Sequence, residues 1–184
     1  MVVGEEGAVT ELWEQVRGGF PEPLDDRPGQ PVYVLQRPPK SGRTALRAAT
    51  LHDLDALVDA AAEAYREEVG VDAHARDPAL FEWRTRSQIE EGRSWLWTED
   101  GRILFKAEAS AWTPAAVQLQ QVWVEPELRG RGYGKRGLSD LCRLLLETTP
   151  AVCLFVRPEN APAIALYDGV GMRRTITYRS LIFA

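Results

Sequence analysis

The chain is short of several things that would otherwise suggest a function. Only two cysteines, Cys142 and Cys153, occur in 184 residues. Each sits among apolar neighbours, so both read as buried free thiols, and no zinc-type spacing exists. There are only two histidines, His52 and His74. One falls at a helix start and the other in a loop, and no metal site is assigned. No apolar run reaches 18 residues and no signal-type stretch opens the chain, so a cytoplasmic protein that does not cross membranes is expected. An excess of basic residues is also missing. The net charge is −5 and the pI about 5.2, which counts against nucleic acid as the main partner.

What is present is one full domain's worth of core with some chain to spare. Residues 8–16 have helical periodicity through Leu12, Trp13 and Val16, and Gly18-Gly-Phe-Pro21 stops them. Residues 32–35 read as a short strand, followed by a linker, Arg37-Pro-Pro-Lys-Ser-Gly42. Residues 1–42 are therefore expected to form an N-terminal αβ extension, and residues 43–184 the main domain. The orphan strand 32–35 needs a sheet partner, in its own chain or in a homodimer.

From Thr44 onward the pattern is complete. A strand at 45–49 leads to a helix at 52–68, with Thr50 placed to cap it and Gly70 to end it. A second helix spans 78–91 with Asp77 as N-cap and Pro78 in its first turn. Strands follow at 94–98, 102–111 and 116–125, the first two joined by a hairpin turn at Asp100-Gly101. Then come helix 134–147, strand 152–157, helix 161–169 and strand 173–183. The order β-α-α-β-β-β-α-β-α-β makes a mixed α/β sheet, mainly antiparallel and flanked by helices.

The richest segment is Val122-Trp-Val-Glu-Pro-Glu-Leu-Arg-Gly-Arg-Gly-Tyr-Gly-Lys135. A strand runs through a turn dense in arginine and glycine into a helix, and such a turn builds a nest of backbone N–H groups at a helix N-terminus. Gly132-Tyr-Gly-Lys-Arg-Gly137 literally matches G-x-G-x-x-G, and Arg157 about twenty residues on would select NADP. Against an NADP-binding oxidoreductase, residues 125–131 separate strand from glycine, and too few βα units remain. A nucleotide P-loop fails, because Arg136 follows Gly134-Lys135 and position 129 is arginine.

Arg129-x-x-Gly132-x-Gly134, preceded by Val124-Glu-Pro-Glu-Leu128, resembles the signature of the GNAT family, the acetyl-CoA-dependent N-acetyltransferases. Asn160-Ala-Pro-Ala-Ile-Ala-Leu-Tyr167-Asp-Gly-Val-Gly-Met172 resembles that family's second conserved segment, with Met172 where phenylalanine is usual. The resemblance covers residues 46–183 and agrees with the element order. More narrowly, residues 12–16, 30–35, 67–70 and 105–108 are similar to actinobacterial GNAT proteins that carry an uncharacterised N-terminal domain. By that likeness, residues 1–42 are the remnant of such a domain.

The resemblance implies acetyl-CoA as the acetyl donor and a primary amine, small or on a protein, as the acceptor. The pyrophosphate would meet the backbone and charges of Arg129, Gly130, Arg131, Gly132, Tyr133, Gly134 and Lys135. The amide arm would pair with the backbone of Val122, Trp123 and Val124. Tyr167 matches the family tyrosine that protonates or stabilises the leaving thiolate. Asn160 caps its helix and can bond the cofactor arm. Glu108 is the candidate general base, with an ion pair to Lys106 as its structural alternative. A non-catalytic acyl-CoA sensor or assembly module stays open beside the enzyme. The acidic chain favours a cationic acceptor.

Overall fold

A computed structural model describes residues 1–70 and 72–183. It resolves into two compact units, residues 36–152 and residues 1–35 with 153–184. Residues 1–42, expected as an N-terminal extension, therefore divide: 1–35 join the chain's C-terminal elements and 36–42 join the other unit.

In the larger unit four strands lie in the order β6-β5-β4-β3, where β3 is Arg47–Ala48, β4 Ser94–Glu99, β5 Arg102–Trp112 and β6 Val117–Val124. Their pairings are antiparallel. The β4–β5 hairpin turns at Asp100 and Gly101, both left-handed (φ 49° and 77°), as a tight turn between right-twisted strands requires. Helix α2 (Leu54–Val69) starts from a capping box in which Thr50 and Asp53 satisfy each other's backbone, and it ends at left-handed Gly70. Its buried face, including Leu54, Leu57 and Val58, packs with Leu96, Ile103 and Trp123 of the sheet. Each such side chain contributes roughly 1.5–3 kcal/mol on burial. A single turn, α3 (Ala73–Arg76), precedes α4 (Pro78–Glu90), whose N-cap is Asp77 as expected. The α3 turn replaces an expected loop, and it carries His74, whose ring meets Phe81 edge-on. Helix α5 (Tyr133–Leu145) follows the glycine loop and buries Leu138, Leu141, Cys142 and Leu145.

In the smaller unit the strand order is β1-β8-β2-β7, with β1 Val2–Glu5, β2 Asp25–Leu35, β7 Val152–Phe155 entering it at Cys153, and β8 Arg173–Ile182. Helices α1 (Glu6–Val16) and α6 (Ala161–Val170) complete it. The strand expected at 32–35 finds its partner in its own chain, on β8, and begins earlier, at Asp25. Pro28 and Gly29 hide this extension from a sequence reading. They fit because the ladder breaks between Arg27 and Gln30, so no N–H is needed from the proline. Strand β1 has no counterpart in the expected order: four residues are too few for a periodicity signal. Met172, the departure from the family pattern, is buried at 4% exposure, where methionine adapts readily to a phenylalanine's space.

Candidate active site

In the larger unit β6 ends at Val124, and a short 3-10 turn, Pro126–Leu128, intervenes before the glycines. This separation is what a dinucleotide fold cannot accommodate. Gly130 (φ 72°) and Gly132 (φ 83°) are left-handed, a conformation that strains any side-chain-bearing residue. Gly132 is the N-cap of α5 and offers no side chain to its first turn. By contrast Glu5, Asp72, Asp77 and Asn160 each cap their helices with a carboxylate or amide oxygen. The first amides of α5 are thus left for another acceptor, and the positive end of the helix dipole favours an anion. Gly137, third in the literal match, does something else. A Cβ there would fall 2.4 Å from Phe105 Cγ, so this glycine lets α5 lie close on the sheet.

The charges around the loop are mostly committed. Arg129 donates through Nη1 and Nη2 to the two oxygens of Glu67, both at 2.9 Å, and through Nε to the Val124 carbonyl at 2.9 Å. Arg136 donates to the carbonyls of Gly42 (2.9 Å) and Arg43 (3.1 Å) and lies 4.7 Å over the Trp97 ring. Tyr133 stacks on the same Trp97 at 5.1 Å. These contacts fix the first turn of α5 against β4. Arg102 donates to both Glu125 (2.8 Å) and Glu127 (2.7 Å), so the charge of the two acidic residues before the loop is partly offset and their repulsion of an anion is reduced. The Arg102 bond holds Glu127 below its ordinary pKa, with Arg131 adding a smaller attraction. Lys135 has no ion-pair partner among the described residues, and neither has Arg131, which leaves both as charge available at the loop.

Glu108 lies in the same unit, on β5, and its carboxylate accepts from Lys106 Nζ at 2.6 Å. Lys106 is fully buried, and Glu108 shows 11% of its side chain. Gln121 Oε1 accepts from the same ammonium at 3.0 Å. No local sequence signal joins Gln121 to this pair.

Asn160 and Tyr167 belong to the smaller unit. Asn160 Oδ1 accepts from the Ala163 amide at 3.2 Å, capping α6. Tyr167 is buried at 6% exposure, its ring 5.5 Å from that of Tyr33. The helix ends at left-handed Gly171, whose N–H reaches Asp168 O.

The family model for the acetyltransferase (GNAT) family matches residues 54–172, well over half of the chain. The chain belongs to the GNAT family. Acetyl-CoA is that family's donor. A GNAT-family acetyltransferase from Colwellia psychrerythraea is similar in fold over all of this chain and 64% of its own, at a TM-score of 0.71 and 14% identity. A predicted acetyltransferase from Clostridium acetobutylicum, solved with acetyl-CoA, is similar over 72% of this chain and 91% of its own, at 0.57 and 18%. An uncharacterised protein of Mycobacterium leprae is 41% identical over 61 residues, which are 33% of this chain and 16% of that protein. The GNAT chain thus spans about two thirds of the Colwellia enzyme and a sixth of the mycobacterial protein. No helix among the described residues is long and apolar enough to cross a membrane, and no cluster of metal-ligating side chains occurs among them.

Proposed function

We propose that this chain moves an acetyl group from acetyl-CoA to a primary amine by direct attack, with no acyl-enzyme intermediate. The observation that carries the reading is the uncapped start of α5, entered through left-handed Gly130 and Gly132. Its free amides, with Arg131 and Lys135, suit a pyrophosphate. Val122, Trp123 and Val124 would lend backbone to the amide arm. Arg129 would act by bracing the loop through Val124 and Glu67 as much as by its charge. Asn160 would add a contact to the arm beyond its cap.

The chemistry asks for a neutral amine, a polarised thioester and a proton for the departing thiolate. The amine nitrogen attacks the thioester carbonyl, the C–S bond breaks, and the amine's proton must leave as the sulfur gains one. Tyr167 would supply the sulfur's proton from its hydroxyl. Glu108 would take the amine's, and a carboxylate locked to a buried lysine is a constrained base for that task. This last observation supports a second reading, a module that binds acyl-CoA without turnover. CoA release from acetyl-CoA, measured against polyamines, aminoglycosides and lysine peptides, separates the two. Release with any amine establishes the enzyme, and tight acetyl-CoA binding with no release across the panel favours the module.

A further inference from the structure

Strand β6 carries one residue more than β5 opposite it. Lys106 pairs with Trp123 and Glu108 with Gln120, so Gln121 and Val122 together face the single residue Ala107. This is a β-bulge, which bends the strand and takes local backbone out of the ladder. A second irregularity at Ser110 restores the register, since Ala111 pairs with Gln118. Ser110 Oγ accepts from Gln118 Nε2 at 2.9 Å and donates to the Gln118 carbonyl at 3.2 Å. Each irregularity is therefore tied by a side chain.

Gln121 is left-handed at φ 48°. A residue with a Cβ is strained in such a backbone unless its surroundings hold it there. The hold is visible: Gln121 Oε1 accepts from Lys106 Nζ, and Glu108 accepts from the same ammonium. Lys106 has no exposure at all. A buried ion pair of this kind rarely improves stability over apolar residues of similar volume, so its presence is better explained by what it positions.

We propose that Lys106 is a positioning residue for the donor: anchored by Glu108, it holds Gln121 in the bulge that shapes β6 immediately before Val122–Val124. The inference rests on the donor reading above, in which that backbone receives the amide arm. Glycine adopts positive φ without strain, so Gly at position 121 should no longer need the pin.

The test is calorimetry of acetyl-CoA binding to the wild type, Lys106→Met, Gln121→Gly and the double variant, each checked for folding by circular dichroism. If Lys106→Met does not fold, Lys106→Met/Glu108→Leu, which leaves no charge unpaired, replaces it in both backgrounds. Loss of the pin is expected to weaken binding roughly tenfold in the Gln121 background. It is expected to change binding by less than about threefold when residue 121 is glycine. Equal losses in both backgrounds, or no loss in a folded variant with Gln121, would overturn the inference. Failure of the wild type to bind acetyl-CoA would instead sink the donor reading. Hydrogen exchange at residues 119–124 would then decide the bulge alone, with faster exchange on losing Lys106 expected and unchanged exchange against it.

Discussion

Arg129 grips Glu67 with both terminal nitrogens, each 2.9 Å from a different carboxylate oxygen. The signature arginine is thus bound to the end of α2, and its Nε holds the Val124 carbonyl at the end of β6. Arginine can serve both contacts because its planar fork points two ways at once. The pair is nearly half exposed on both sides, so its direct stability is small, at most about 1 kcal/mol. Glu67→Ala is therefore expected to leave the thermal midpoint almost unchanged. Arg129→Ala also loses the Val124 tie and should weaken acetyl-CoA binding more than Glu67→Ala does. Calorimetry of both variants checks the order, and equal losses would mean that the Val124 bond contributes nothing.

Tyr167 offers a cleaner separation of binding from chemistry. Its ring is buried beside Tyr33, and phenylalanine preserves that packing while removing only the hydroxyl. Loss of a positioned proton donor lowers turnover by about 10²–10⁴-fold. Tyr167→Phe should show that fall in kcat with a CoA dissociation constant within about twofold of the wild type. Normal kcat would remove Tyr167 from the mechanism.

Gly132 tests the loop. Its φ is 83°, and a Cβ placed there would meet nothing within 4 Å. The site therefore has space but the wrong backbone for other residues. Gly132→Val pairs a β-branched side chain with a left-handed conformation, at a cost of roughly 1–3 kcal/mol. The expected result is a lower melting temperature together with loss of measurable CoA binding. Binding that survives intact would show that the loop does not approach the donor.

Much of this is legible in the sequence because local signals agree. Asp77 before Pro78, Asp100-Gly101 between two β-rich runs, and Gly70 after a periodic stretch each mark a boundary by a physical mechanism, and each boundary stands where expected. The glycine loop can be read for the same reason: Gly130 and Gly132 supply the φ above zero that its turn requires. The pairing of Lys106 with Gln121 cannot be seen, because it depends on a register shift between strands that no local pattern encodes. Strand β2 is longer than its local pattern suggests for the opposite reason. Pro28 and Gly29 give a strong local turn signal, and pairing with β8 overrides it. Glu108 has the right residue type for a base, but its partner across one pleat decides how free it is.

The segment expected as a linker has a defined seat on α5. Asp140 accepts from Ser41 Oγ (3.0 Å), the Gly42 amide (2.7 Å), the Thr44 amide (2.8 Å) and Thr44 Oγ1 (2.7 Å). Arg136 and Arg143, on the same face of the helix, donate to the carbonyls of Gly42, Arg43 and Pro39. Gly42 lies so close that a Cβ would sit 2.0 Å from the Arg136 carbonyl oxygen. Burial acts to raise the Asp140 carboxyl, but the bonds from Thr44, Gly42 and Ser41 outweigh it and hold the group below the usual carboxylate range. A carboxyl depressed in the folded state stabilises fully above its unfolded pKa, about 3.9. That stability is lost as pH falls through the lower, folded value. Asp140→Asn cannot accept all four donors and should cost roughly 1–3 kcal/mol at pH 7. It should also flatten the decline in melting temperature below about pH 4, only in part, because Asp26 and Asp53 are depressed by their arginine partners in the same direction. Melting curves from about pH 7 to about pH 2.5 for both proteins give the comparison. Parallel curves would show that the seat on α5 does not depend on the Asp140 charge.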